Sequence, residues 1–66
     1  MTAIDLENDR LLKISEVCHR TGLSESTVYR RIKTDDFPSP ISLGPGTVRW
    51  LLSEIESWIA AKIKGR

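Results

Sequence analysis

Hydroxyl and basic side chains dominate one face of a predicted helix in the first half of the sequence. At about 100° per residue, four of them fall on the same side and two lie on its flanks. They are Ser26, Thr27, Arg30 and Lys33 on the face, and Tyr29 and Arg31 on the flanks. Such groups form hydrogen bonds with base edges and phosphates, whereas three basic residues alone are more typical of a solvated helix surface. The surrounding elements therefore decide between these two interpretations.

Two short helices joined by a glycine turn are predicted to position this face. Ser15 is expected to cap the first helix, and Gly22 can adopt the left-handed conformation that ends it. Ser24 can accept a hydrogen bond from a free amide in the first turn of the second helix, and Glu25 suits the positive end of that helix. This order and spacing are typical of a helix-turn-helix, whose second helix lies in the major groove of DNA.

The apolar positions predict how the two helices pack. Val28 and Ile32 of the second helix would face Val17 and Cys18 of the first. Cys18, the only cysteine, cannot form an internal disulfide, and its place on the apolar side of the first helix predicts a small core residue. No spacing indicates a metal site, a cofactor or a catalytic group, so we expect neither a bound cofactor nor an enzyme.

The second helix is predicted to end near residue 34. A β-hairpin is predicted to follow it. Phe37 is expected to plug the core, and two prolines stiffen the segment that follows it. The turn-forming residues 44–47 separate two alternating segments. In this prediction Ile41 and Leu43 face Val48 and Trp50, while Arg49 points outward beside the tip. A hairpin in this place is a wing, which can reach the DNA backbone or minor groove.

A last helix is predicted from a capping box in which Ser53 is the cap and Glu56 reaches back. Its apolar stripe consists of Ile55, Trp58, Ile59 and Ile63, and Trp58 is expected to lie in the core. Before the first helix, residues 12–14 are expected to form a short extended segment.

The charge is distributed unevenly along the 66 residues, although the net charge is only +1. Residues 1–9 carry −3, residues 10–34 carry +4, and residues 35–66 balance. We therefore expect a flexible acidic arm over residues 1–9 and one DNA-binding domain over residues 10–66, with the positive field on the helix-turn-helix. No targeting or membrane segment is visible, so the expected location is the cytoplasm.

The motifs of the chain, in their order, resemble those of the AlpA family of small phage- and prophage-encoded regulators. That family is similar to excisionases and to the DNA-binding part of the MerR superfamily. The resemblance covers about residues 11–63. The motifs that carry it are Leu12, Glu16-Val17, Thr21-Gly22-Leu23-Ser24, Ser26-Thr27-Val28-Tyr29-Arg30, Phe37-Pro38-Ser39-Pro40, Leu43-Gly44, Arg49-Trp50 and Ile55-Glu56-Ser57-Trp58-Ile59.

The resemblance implies a winged helix-turn-helix that is mainly α, with three helices and a two-stranded wing. It implies that residues 24–33 enter the major groove and that residues 44–49 contact the adjacent backbone. The residues expected to contact DNA are Ser24, Ser26, Thr27, Tyr29, Arg30, Arg31, Lys33, Thr47 and Arg49. Members of the family act as transcriptional activators, as repressors, or as directionality factors in recombination.

Three functions remain open at this point. The first is sequence-specific binding of double-stranded DNA to regulate transcription, and the second is bending of DNA as an excisionase. The third is a protein-interaction module that recruits an integrase or an RNA polymerase subunit. We also expect a monomer in solution that binds cooperatively to adjacent DNA sites, with the acidic residues 5–9 of one copy meeting the basic residues 62–66 of the next.

Overall fold

The computed structural model describes residues 9–66, which form three helices and one small antiparallel sheet. The predicted arm, apart from Asp9, lies outside the described residues. The elements, in chain order, are β1 (Leu11–Leu12), α1 (Ile14–Thr21), α2 (Glu25–Lys33), β2 (Ile41–Gly44), β3 (Thr47–Leu51) and α3 (Leu52–Lys64). This is the fold class that the sequence predicts.

The sheet has the order β1-β3-β2 and is therefore one strand wider than the predicted wing. The extended segment before α1 supplies this strand, with Leu11 opposite Leu51 and Leu12 opposite Trp50. Just before it enters α1, the chain thus pairs with β3, the strand that leads from the wing into α3. The wing and the helix-turn-helix consequently share one framework.

The predicted facing of the hairpin residues is wrong by one position. Pro45 and Gly46 alone form the turn, with Gly46 at φ 71°, so Gly44 and Thr47 already pair. Opposite residues in an antiparallel pair project from the same face, and here Ile41 lies opposite Arg49. A tight turn moves the register by one residue, so Ile41 shares its face with Arg49 and not with Trp50, the next residue along β3.

Leu43 has no partner on β3, because the register shifts between Ser42 and Gly44 in a β-bulge. Its side chain is 53% exposed, whereas the sequence pattern places it on the buried face. The bulge is therefore the second reason why the alternation of the hairpin misleads.

Trp50 is the centre of the core and has no exposed surface. The other fully or nearly fully buried side chains are Leu12, Val17, Val28, Phe37 and Ile55. The indole nitrogen of Trp50 donates to the carbonyl of Pro38 at 3.0 Å, so its polar atom is satisfied. The predictions for Phe37, Val17 and Val28 are confirmed, and Cys18 packs against this core as a half-buried residue.

The apolar stripe of α3 is covered only in part. Ile55 is buried, Trp58 is half-buried, and Ile63 is 56% exposed. Trp58 packs on Phe37 with ring centroids 4.8 Å apart, and its indole nitrogen donates to the carbonyl of Asp36 at 2.9 Å. Trp58 therefore closes the edge of the core, and Trp50 occupies its centre.

Ser15 does not cap α1, since the helix already begins at Ile14 and Lys13 precedes it. Glu16 supports this end by accepting a hydrogen bond from the amide of Lys13 at 3.1 Å. Gly22 ends the helix at φ 75° and donates its amide to the carbonyl of Cys18 at 2.8 Å, as predicted.

Ser53 is likewise not the cap of α3, because it is already the second residue of the helix. Instead Asp9 accepts hydrogen bonds from the Ser53 amide at 3.0 Å and from the Ser53 hydroxyl at 2.7 Å. These bonds, the hydroxyl one first, lower the pKa of Asp9 below its usual value. A residue assigned to the arm therefore caps a helix that lies 44 positions further along the chain.

Candidate nucleic-acid interface

Three hydroxyl groups are linked at the start of α2. Ser24 caps the helix by accepting a hydrogen bond from the Thr27 amide at 3.2 Å, as predicted. The Ser24 hydroxyl also donates to Thr27 Oγ1 at 2.9 Å and lies 3.3 Å from Ser26 Oγ. Ser24 and Ser26 are exposed, and Thr27 is half-buried. The cap therefore fixes the orientation of the hydroxyl groups that begin the predicted contact face.

Basic side chains continue the same face along α2. Arg30 and Lys33 are exposed, and neither forms an ion pair with any other residue in the range 9–66. Arg30 has only a long contact of 3.4 Å from Nη2 to Thr27 Oγ1. Their guanidinium and ammonium donors are thus available to an external acceptor. Ser26, Arg30 and Lys33 are called the outer side of α2 below.

The two flanking residues of the predicted face contact the rest of the molecule. The ring of Tyr29 lies 6.2 Å from that of Trp50, and its side chain is 39% exposed. Arg31 Nη1 forms an ion pair with Asp36 Oδ2 at 2.7 Å. Tyr29 therefore partly covers the core, and Arg31 is turned away from Arg30 and Lys33.

Asp36 is a residue of the site that the sequence reasoning missed. Besides Arg31, it accepts a hydrogen bond from Lys62 Nζ at 3.0 Å. The hydrogen bond from Lys62, followed by the charges of Lys62 and Arg31, holds the pKa of Asp36 below its usual value. The only local signal is a basic residue near the end of a helix with an acidic one five positions later, and nothing in the sequence points to Lys62.

The two predicted wing contacts, Thr47 and Arg49, are both half-buried on β3. Arg49 shares a face with Ile41, and its Nη1 donates to the carbonyl of Val48 at 2.7 Å. Arg49 is therefore only partly exposed, on the face of β3 opposite that of the buried Trp50, and its contact with DNA stays a prediction. The turn residues Pro45 and Gly46 are the exposed tip of the wing.

Other chemistry is sparse in the part of the chain that the structure describes. Residues 9–66 contain no group of three or more His, Cys, Asp or Glu side chains that could hold a metal ion. Burial raises the pKa of the Cys18 thiol, and His19 is exposed on α1. Over the same residues, no helix has both the length and the apolar character needed to cross a membrane.

Two capped helices around a glycine turn, followed by a hairpin and a third helix, define a small protein of the winged helix-turn-helix type. The sequence profile of the family described as prophage CP4-57 regulatory protein (AlpA) matches residues 10–63, and the chain belongs to this family.

The chain is also similar to two individual proteins. The chain is 45% identical over 62 residues to uncharacterized protein ORF88 of Enterobacteria phage P4, an alignment that spans 94% of this chain and 70% of that protein. It is 28% identical over 61 residues to the DNA-binding transcriptional activator AlpA of Escherichia coli K12, spanning 83% of this chain and 87% of that protein. No solved structure matches the chain.

Proposed function

We propose that this protein binds double-stranded DNA in a sequence-specific manner and thereby regulates transcription of phage or prophage genes in the bacterial cytoplasm. The observation that carries the proposal is the outer side of α2, where exposed hydroxyl and basic groups have no ion-pair partner within residues 9–66. Membership of a family of regulators supports it, as does the DNA-binding activator among the relatives.

In this proposal α2 lies in the major groove, because the helix presents its polar residues on the side opposite Val28. Arg30 reads a guanine edge, since a guanidinium can donate two hydrogen bonds to O6 and N7. Ser26 and Lys33 contact bases or phosphates beside it, while Ser24 and Thr27 orient the start of the helix. Tyr29 adds an edge contact from the exposed part of its ring.

The wing contributes contacts with the adjacent phosphate backbone. Thr47 and Arg49 lie on β3 next to the exposed turn, and the half-buried Arg49 supplies the guanidinium donor. Phosphate contacts position a protein on DNA without reading its sequence. We therefore assign sequence discrimination to α2, and the positioning of the protein along the DNA to the wing.

A protein-interaction role is the second candidate function, and a specific surface favours it. A groove of about 470 Å³ lies between α1 and α3, and it is lined by His19, Arg20, Glu56, Ile59, Ala60 and Ile63. An integrase or an RNA polymerase subunit that used this groove could act together with DNA binding. DNA bending for excision is an alternative to transcription regulation that uses the same DNA contacts.

Selection of bound duplexes from a random pool tests the proposed function. The protein should enrich a short common sequence, and Arg30→Ala should lose preference at one or two adjacent positions while keeping its circular dichroism spectrum. Arg20→Ala is the matched control, because it removes the same charge from an exposed position on α1. Enrichment of no sequence by the parent would contradict the proposal.

We also propose that the protein is a monomer in solution and associates only on adjacent DNA sites. Asp9 is already bonded to Ser53 of the same chain, so a contact between arm and tail would depend on Asp5 and Glu7, which lie outside the described residues. Analytical ultracentrifugation without DNA should give a monomer, and affinity per site should be higher on two-site than on one-site DNA. A tight dimer without DNA would contradict this proposal.

A further inference from the structure

One carboxylate, that of Asp36, holds two of the basic side chains of the molecule. Its Oδ2 lies 2.7 Å from Arg31 Nη1, and its Oδ1 lies 3.0 Å from Lys62 Nζ. Both oxygens are therefore engaged, each with a different cation. Because the two cations stabilise the ionised form, the carboxylate stays charged at the neutral pH at which DNA binding occurs.

The indole of Trp58 fixes the position of the same two cations. The guanidinium carbon of Arg31 lies 5.9 Å from the centroid of the Trp58 ring, and Lys62 Nζ lies 5.3 Å from it. Trp58 in turn donates a hydrogen bond to the backbone carbonyl of Asp36 at 2.9 Å. The cluster thus joins the end of α2, the segment after it and α3, and it gives both cations a defined position on the protein itself.

Arg31 is placed where it could otherwise contact DNA. It follows Arg30 directly in the sequence and lies on the flank of the outer side of α2. To reach a phosphate, its guanidinium would have to leave the Asp36 carboxylate. The gain in binding free energy would then be only the difference between the bond of Arg31 to phosphate and its bond to Asp36, both of which are charge-assisted.

We infer that Asp36 withholds Arg31 and Lys62 from DNA phosphates and thereby limits sequence-independent binding, an inference that rests on the proposed DNA-binding function. Phosphate contacts supply nearly all of the affinity for random DNA. A regulator is useful when the ratio of specific to non-specific binding is high. By keeping two cations on the protein, Asp36 leaves Arg30 and Lys33, which form no ion pair within residues 9–66, to dominate the contact.

The dependence of affinity on salt concentration measures this effect. The slope of log affinity against log salt steepens by about 0.9 for each additional phosphate contact. On a random-sequence duplex, Asp36→Asn should therefore give a slope steeper than that of the parent by about one for each released cation that reaches a phosphate. Asp35→Asn is the matched control. It removes the same charge at the neighbouring position, and Asp35 forms no ion pair among the described residues.

Arg31→Gln in both backgrounds identifies the released cation. In the parent it should leave the salt slope nearly unchanged, because Arg31 is held by Asp36. In the Asp36→Asn background it should reduce the slope by about one. Thermal melts of all variants establish that they are folded at the temperature of the binding measurement. If Asp36→Asn is not folded, the salt slope of Arg31→Gln in the parent background still decides whether Arg31 contacts phosphate.

The possible results separate this inference from the function on which it rests. A parent slope that drops by about one on Arg31→Gln, or equal slopes for Asp36→Asn and Asp35→Asn, would overturn the role of Asp36 while leaving DNA binding intact. A parent protein that binds no DNA at any salt concentration would overturn the proposed function, and the inference with it.

Discussion

Arg30 and Arg31 are adjacent on α2, yet they differ in exposure and in the partners that the fold gives them. Arg30 is exposed and has no ion pair among the described residues, whereas Arg31 is half-buried and bonded to Asp36. The same contrast extends along the helix: Val28 and Ile32 lie on the inner side, against the core, while Ser26 and Lys33 on the outer side face solvent. Residue type alone therefore does not identify a contact residue, and the partners that the fold provides must be known as well.

The inner side of α2 depends on the core, and the largest expected effect is there. Trp50→Ala removes a fully buried ring against which Tyr29 lies. Such a change costs about 3–5 kcal/mol, which is comparable with the whole free energy of unfolding of a small domain. We expect this variant to be unfolded or to melt far below the parent in circular dichroism.

Trp58→Ala is the matched comparison, because the side chain of Trp58 is only half-buried. It should be destabilised less than Trp50→Ala and retain a cooperative melt. The reverse order of stability would show that the centre of the core has been placed wrongly.

The outer side of α2 gives the second effect, which concerns binding and not stability. Arg30→Ala should lose about 1–3 kcal/mol of discrimination at the base pair that it contacts. Fluorescence anisotropy with single-base variants of the selected duplex measures this loss. If Arg30→Ala weakens binding equally on all these duplexes, Arg30 contacts a phosphate and the base reader must be sought among Ser26 and Lys33.

Ser24 connects the two sides, because its hydroxyl caps the helix that carries both. Ser24→Ala should cost about 1 kcal/mol of stability, which lowers the melting temperature of a domain of this size by about 4–8 °C. Ser39→Ala, at an exposed position between two prolines, is the control. An unchanged melting temperature for Ser24→Ala would contradict the capping assignment.

The smallest effect is the dependence of stability on pH. Hydrogen bonds lower the pKa of Asp9 and Asp36 in the folded state, with Ser53 and Lys62 as the respective main partners. The folded state therefore binds protons less readily than the unfolded one, so this stabilisation is present above the usual pKa of 3.8 and is lost as the pH falls below it. The melting temperature should be constant near neutral pH and fall in acid.

Asp9→Asn tests the origin of this decrease. It should lower the melting temperature at neutral pH and make the decrease in acid shallower. Asp35→Asn, which removes one carboxylate without removing an ion pair among the described residues, is the control for the change in net charge. An acid profile of Asp9→Asn identical to that of the parent would show that the bond to Ser53 adds nothing to stability.

The local features of the fold were predictable from the sequence because their signals lie within a few residues. Ser24 caps a helix through an amide three positions away, and Gly22 ends a helix at its own position. The same is true of the approximate place of the hairpin and of the polar face of α2. The family resemblance supplied the order in which these elements combine.

The features that were missed depend on partners distant in sequence or on a small change of register. Asp9 caps α3 from 44 positions away, and Asp36 meets Lys62 from 26 positions away, so no local pattern reveals either pair. The two-residue turn and the bulge at Leu43 change which hairpin residues face each other. For the candidate site, the sequence thus predicted which residues lie on α2 but not that Arg31 would be engaged within the protein.

Mapping of the DNA contact by NMR tests the central claim, that the outer side of α2 binds DNA, most directly. The selected duplex is titrated into isotopically labelled protein, and changes in the amide resonances are followed. The largest changes should occur in residues 24–33, with smaller ones in residues 44–49. Changes centred on the groove lined by His19, Ile59 and Ile63, with α2 unaffected, would contradict the account.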